Sequence, residues 1–164
     1  MEKLRIYLDD VRTPNSPNNE WVDGIEEWTV VRNFQEFVDI IIEVGLENIE
    51  VISLDHDLGD TAMKEYFENV SPNYTLNYDN IQEKTGMDCA KFLVNYFYDT
   101  NLGRELMSRL EKKSQPFPFP KVFVHSANPI GSANMMGYIN NFFMNEGRSQ
   151  SCVRVRIPHT IEKS

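Results

Sequence analysis

Two apolar runs in this chain each end in acid. Leu4-Arg5-Ile6-Tyr7-Leu8 runs into Asp9-Asp10, and Ile49-Glu50-Val51-Ile52-Ser53-Leu54 runs into Asp55-His56-Asp57. Short apolar runs halted by Asp read as strands. In a parallel α/β sheet the carboxyl ends of the strands share one edge, and ligands bind along it. Setting the two runs side by side collects four carboxylates: Asp9, Asp10, Asp55 and Asp57. Uncompensated carboxylates repel one another and resist burial. A hard divalent cation, Mg²⁺ or Mn²⁺, resolves that conflict with oxygen ligands.

The rest of the chain alternates strand and helix patterns. Lys3 to Leu8 is the first strand, Trp28 to Arg32 a short second and Ile49 to Leu54 the third. Lys121 to His125 and Cys152 to Ile157 are the fourth and fifth, with a short tail beyond. Asn33 is placed to cap a helix over Phe34 to Val44, with Glu36 three residues on and Gly45 to close it. Phe34, Phe37, Val38, Ile41 and Ile42 make its apolar face. Further helices are expected over Met87 to Asp99, Arg104 to Lys113 and Ala133 to Met144. The stretch from Val11 to Asp23 is rich in Pro and Asn and reads as a loop. Pro116 to Pro120 is an extended connector. Gly59 to Thr85 is polar and aperiodic; it reads as an insertion after the third strand, with a short helix around Met63 to Phe67. Its aromatics, Tyr66, Phe67, Tyr74 and Tyr78, are expected to pack as a small satellite core, with base stacking over the site as the alternative. Together these elements predict one α/β domain over 1–164. Its architecture is a three-layer, doubly wound, five-stranded parallel sheet in the order 2-1-3-4-5.

Composition narrows the partners. The formal net charge is −9, and no Lys/Arg block offsets it. That opposes long DNA, while a small nucleotide or an RNA end carrying a phosphate remains compatible, because a bound cation reverses the local sign. No apolar run approaches a membrane span, and Met1-Glu2-Lys3-Leu4 lacks a signal peptide's apolar core, so a cytoplasmic location is expected. Cys89 and Cys152 have neither metal-ligand nor disulfide spacing and read as buried, reduced thiols. Nothing in the chain indicates an oligomeric state.

On the expected sheet the polar residues converge on one edge. Asp9 and Asp10 follow the first strand, and Asp55, His56 and Asp57 the third. His125, Ser126 and Asn128 follow the fourth, and His159 the fifth. Ser126 and Asn128 are placed to hold a phosphate, and Arg12 is either a phosphate clamp, a solvated loop arginine or an ion-pair partner for Asp57. Ser132 is a candidate helix cap. A serine hydrolase lacks its Gly-x-Ser-x-Gly turn, and a zinc hydrolase lacks His-Glu-x-x-His. Phosphoryl chemistry with a hard cation fits better, with a histidine to move the proton.

These residues resemble those of response-regulator receiver domains: Asp9-Asp10 their acidic pair, Asp55 their phospho-accepting Asp and Ser126 their hydroxyl. Arg156-Ile157 stand before Pro158, where receivers carry a lysine. Four motifs in order more closely resemble the cyclic-phosphate processing receiver domain of bacteria and their phages. They are Leu-Asp-Asp-Val-Arg-Thr-Pro from Leu8, Leu-Asp-His-Asp-Leu-Gly from Leu54, Thr-Gly-Met-Asp from Thr85 and His-Ser-Ala-Asn-Pro from His125. The resemblance implies a metal-dependent phosphoesterase acting on cyclic phosphates of nucleotides or RNA ends. Asp9, Asp10, Asp55 and Asp57 are its candidate metal ligands, and Asp55, His56 and His125 its candidate catalytic residues. Arg12, Ser126 and Asn128 would bind the phosphate. Two alternatives stand beside it. One is a non-catalytic receiver-like module that binds a protein partner or sequesters a nucleotide. The other is haloacid-dehalogenase-like chemistry, because Asp55-His56-Asp57 is similar to that family's nucleophile pair.

Overall fold

The computed structural model describes residues 2–14, 27–110, 118–156 and 159–161, with the side chains of 102–109 and 159–161 left aside. Five parallel strands form the main sheet: β1 (Leu4–Leu8), β3 (Thr29–Val31), β4 (Ile49–Leu54), β5 (Lys121–Val124) and β6 (Val153–Arg154). Their spatial order is β3-β1-β4-β5-β6, which is the expected 2-1-3-4-5. A separate antiparallel ribbon pairs β2 (Arg12–Pro14) with β7 (His159–Ile161).

Alternation along the strands sets two faces. Ile6, Leu8, Ile52, Leu54, Val122 and Val124 share one face and enter a single apolar core. There they meet Phe37 and Ile41 of α1 (Phe34–Val44), Leu93 and Phe97 of α4 (Gly86–Leu110), and Ile139 and Phe143 of α5 (Pro129–Asn145). Tyr7, Val51 and Ser53 alternate with these residues toward the other face and are also fully buried. Both faces of the sheet are therefore covered, as parallel sheets require. Cys89 and Cys152 are free and buried in the core, and burial pushes the Cys89 thiol well above its ordinary value.

Local chemistry explains the helix boundaries. Asn33 Oδ1 accepts from the Glu36 N–H at 2.9 Å, and Gly45, with φ of 81°, closes α1. Helix α4 starts on a reciprocal cap: Asp88 accepts from the Thr85 N–H at 2.8 Å, and Thr85 Oγ1 accepts from the Met87 N–H at 3.2 Å. The helix runs unbroken to Leu110 and merges the two helices expected over Met87–Asp99 and Arg104–Lys113. Helix α5 starts at Pro129, four residues earlier than expected, because Asn128 caps it rather than Ser132. Proline at the first helical position loses no hydrogen bond, which favours the earlier start.

One loop and one strand expectation are corrected. Arg12–Pro14 is a strand rather than loop, because the tail at His159–Ile161 supplies its partner. The fifth strand is shorter than Cys152–Ile157, although the Val155 N–H still reaches the Val124 carbonyl at 2.8 Å. The remainder of the Val11–Asp23 stretch, and Pro116 of the proline run, lie outside the described residues.

The insertion is more helical than expected. Helix α2 (Asp60–Glu65) passes through a π-helical turn over Tyr66–Val70 into α3 (Ser71–Asn73), and a 3₁₀ turn spans Tyr78–Asn80. It holds no aromatic satellite core: Phe67 and Tyr74 are 66 % and 70 % exposed. Two carboxylates organise it instead. Buried Glu65 accepts from the Asn77 N–H at 2.8 Å and from the Asn69 and Asn80 side chains. Glu83 accepts from the Ala62 N–H at 2.7 Å and from the Thr61 hydroxyl.

Candidate functional site

The sheet continues one residue past each strand, and that row carries the chemistry. The Asp9 N–H donates to Val31 O at 3.1 Å, Asp55 N–H to Leu8 O at 3.0 Å, and His125 N–H to Leu54 O at 3.0 Å. Ladder pairing thus sets Asp9, Asp55 and His125 abreast. Alternation sends their side chains to the face of Tyr7 and Ser53.

Three carboxylates gather on that side. Ligand atoms of Asp9, Asp10 and Asp55 all lie within 4.8 Å of one another. Asp9 is fully buried and accepts from the Val11 N–H at 3.0 Å, the Arg12 N–H at 2.7 Å and Arg12 Nε at 2.6 Å. Arg12 Nη2 also lies 3.2 Å from Asp55 Oδ1, so its ion-pair partners are Asp9 and Asp55 rather than Asp57. Arg32 braces this loop, donating through Nη1 to the carbonyls of Asp9 at 3.1 Å and Arg12 at 2.6 Å.

Crowding divides the titrations. Burial raises the Asp9 carboxyl, but hydrogen bonds from His125 and Arg12, with the Arg12 charge, outweigh it and hold the group at about 2. Burial, then the Asp9 charge, push Asp10 up to about 6. Burial, then Asp9, hold Asp55 well above the carboxylate range despite Arg12. Adjacent buried carboxylates resist ionising together. A hard donor set under that strain suits a divalent cation.

His125 backs the cluster. Its Nε2 lies 3.1 Å from Asp9 Oδ2, its Nδ1 lies 2.7 Å from Ser53 Oγ, and its ring stacks on Tyr7 with centroids 4.2 Å apart. His56 lies one residue out of phase and occupies the other side of the edge. Its Nδ1 meets Asp57 Oδ1 at 2.7 Å and its Nε2 meets the Tyr78 hydroxyl at 2.9 Å. That hydroxyl also accepts from Asn134 Nδ2 of α5 at 3.1 Å, so Tyr78 latches the insertion to the sheet edge. Asp57 joins this second group and not the carboxylate trio: Asn128 Nδ2 lies 3.2 Å from its Oδ1. Asn128 Oδ1 accepts from the Gly131 N–H at 2.8 Å, so Asn128 ties Asp57 to the start of α5. Ser126 Oγ accepts from the Asn128 N–H at 3.1 Å. His159 lies in β7 opposite Pro14, and its ring is outside the described side chains.

A cavity of about 630 Å³ opens on the trio's side, lined by Arg12, His125, Ser126 and Ala127 and by Arg154, Val155 and Arg156. It therefore holds three of the residues expected at the site: Arg12, Ser126 and His125. Arg154 and Arg156 were not among those expected. Their signal is the Arg-Val-Arg spacing, which sets both on one side of an extended chain. Arg154 donates to the Ser126 carbonyl through Nε at 3.2 Å and Nη2 at 2.8 Å. Ser53 and Asn134 were also unforeseen, since each acts only through a histidine or tyrosine distant in sequence. Tyr78, expected in a satellite core or stacked on a base, instead bonds His56 and Asn134 through its hydroxyl.

A parallel sheet in this order, with an acidic trio past its two central strands, defines a receiver-like α/β domain. The sequence model of the cyclic-phosphate processing receiver domain matches residues 4–141, and the chain belongs to that family. No curated protein and no solved structure matches the chain. No helix among the described residues is long and apolar enough to cross a membrane.

Proposed function

We propose that the chain is a divalent-metal-dependent phosphoesterase that opens cyclic phosphates of nucleotides or RNA ends. The observation that carries this reading is the trio Asp9, Asp10 and Asp55, gathered within 4.8 Å beside a cavity that His125 and Arg12 line. The trio would hold Mg²⁺ or Mn²⁺. Such a cation polarises a phosphoryl oxygen and offsets the charge that develops on it.

The chain's own residues supply the rest. Arg12 orients the phosphate as a planar fork while holding Asp9 and Asp55. Ser126 lines the same wall and presents its hydroxyl to a phosphate oxygen. In the reaction a water oxygen bonds to phosphorus, one ribose–oxygen bond to phosphorus breaks, and the water's proton ends on the departing oxygen. His125 carries that proton, since it lines the cavity and its Nε2 lies against Asp9 of the trio. His56 does not line the cavity, and its ring is engaged with Asp57 and Tyr78 on the other side of the edge. His56, Asp57 and Asn128 then fix the loop that carries Asp55.

The test is turnover of 2′,3′-cyclic nucleotides and of an RNA with a cyclic-phosphate end, with Mg²⁺ or Mn²⁺. Asp55→Asn and His125→Ala are each expected to lose about 100-fold or more. Undiminished hydrolysis by Asp55→Asn defeats the reading. One observation favours a second reading, a non-catalytic module that sequesters a nucleotide. Arg12 already neutralises part of the trio from within. Ligand binding that is tight and indifferent to chelator, without product, selects it.

A further inference from the structure

We infer that Arg154 and Arg156 form a second anion subsite, so that the ligand carries another phosphate besides the one at the carboxylate trio. The inference rests on the cyclic-phosphate reading and specifies its substrate: a nucleotide unit phosphorylated at its 5′ oxygen as well as cyclised at 2′,3′.

The chain has eight arginines and a net charge of −9, yet three of its arginines line one cavity. Among the described residues, only Arg12 of the three is paired with acids, Asp9 and Asp55. Arg154 is fixed by a neutral carbonyl, that of Ser126, through Nε and Nη2, and its outer Nη1 has no partner among the described residues. Arg156 makes no ion pair or hydrogen bond among the described residues. Two arginines on one concave wall, with no described acid paired to them in a chain of net charge −9, keep their charge available for an anion.

Geometry supports a ligand spanning both places. The Ser126 carbonyl that fixes Arg154 belongs to the residue following His125, and His125 touches Asp9. The basic wall therefore adjoins the trio through one short segment. A volume of about 630 Å³ accommodates a nucleotide with two phosphates. On ribose the 5′ carbon is attached at C4′ and projects from the face of the ring opposite the 2′ and 3′ oxygens, so one nucleotide unit can present a phosphate to each place. A free 5′-phosphate and the phosphodiester of an RNA end share this chemistry.

The experiment compares three substrates: adenosine 2′,3′-cyclic phosphate, the same compound with a 5′-phosphate, and a dinucleotide ending in the cyclic phosphate. KM is measured for the wild type, Arg154→Ala and Arg156→Ala, with melting curves to confirm folding. Arg154 also anchors Ser126, so the exposed Arg156 is the deciding variant. One charge-assisted hydrogen bond between arginine and phosphate is worth about tenfold or more in affinity. The expected result is a KM about tenfold lower with the second phosphate, and an advantage that collapses toward one in Arg156→Ala. The arm that gains more, 5′-phosphate or dinucleotide, identifies a free nucleotide or an RNA end. An advantage near one in the wild type, or one preserved in both variants, overturns the subsite. If nothing is hydrolysed, calorimetric Kd values for the same compounds replace KM. A tenfold contrast without turnover keeps the subsite and removes the esterase, and turnover without contrast does the reverse.

Discussion

At the scale of single residues, the site depends on two glycines as much as on its acids. A Cβ at Gly86 would lie 1.9 Å from the Asp55 carbonyl oxygen, and one at Gly131 would lie 2.3 Å from His56 Cγ. Each helix therefore starts in van der Waals contact with the loop that carries Asp55 and His56. The Gly86 clash is with backbone, which has no rotamer to escape into. We expect Gly86→Ala to cost about 3 kcal/mol and Gly131→Ala about 2 kcal/mol, read from urea melts. Gly137 of α5 is the control, with nothing within 4 Å of its would-be Cβ. Gly137→Ala is expected to gain about 0.5 kcal/mol, because alanine is the better helix former. A Gly86→Ala protein as stable as wild type would contradict the close approach.

Alternation, a property of single residues too, separates the two histidines. His125 shares a side with Asp9 and Asp55, and His56 faces α5. From sequence both were candidate acid or base. The distinction was present in the spacing, since Asp55 and His56 are adjacent and must point apart in extended chain. What the spacing lacked was the partner of each ring. Ser53 and Tyr78 reach their histidines only through the folded sheet.

At the scale of elements, the insertion after β4 is a polar unit held by two carboxylates, Glu83 and the buried Glu65. Glu65→Ala leaves three donors, the Asn77 N–H and the amides of Asn69 and Asn80, without their acceptor. A loss of about 3 kcal/mol is expected in the local stability of residues 60–80, measured by hydrogen exchange. Burial raises the Glu65 pKa, but those donors outweigh burial and set it below the ordinary 4.5. A depressed carboxylate contributes stability that is complete above its unfolded value and is lost as pH falls through its folded value. Acid should therefore open the segment below about pH 4.5, and the Glu65→Ala protein should lack that contribution. Exchange in 60–80 that is unaltered by the substitution would remove Glu65 from this role.

The element scale also shows what was legible. The five strands and α1 carried short-range signals: apolar runs, an Asn cap and a closing glycine. The Arg12–Pro14 strand carried none, because its partner lies at His159–Ile161 and a three-residue edge has no period of its own. The insertion failed for a related reason. Its order comes from Glu65 and Glu83 gathering backbone and amide donors, which leaves no hydrophobic periodicity to read. The carboxylate cluster was legible as a strand-end pattern, but Asp57 went to Asn128 and His56 rather than to the trio. Sequence spacing alone does not distinguish those two fates.

At the scale of the whole molecule, the trio couples fold stability to pH and to divalent metal. Asp10 releases its proton near 3.8 in the unfolded chain and near 6 in the folded one. Asp55 is shifted in the same direction. Between those values the folded chain holds more protons than the unfolded chain, so these two groups make stability fall as pH rises through the window. Asp9, held at about 2, loses its contribution only below that window. Glu65 and Glu83, both depressed below 4.5, lose theirs as pH falls past the window's lower end. A cation at the trio favours the ionised carboxylates and stabilises the folded state by mass action. It must displace protons to bind near pH 5 and far fewer above pH 7. We therefore expect millimolar Mg²⁺ to raise the Tm more at about pH 7.5 than at about pH 5, with chelator reversing the gain. Asp55→Asn is expected to lose the Mg²⁺ response, which separates the trio from general screening of the −9 net charge. An equal Mg²⁺ response at both pH values, or one retained in Asp55→Asn, would place the effect outside the trio.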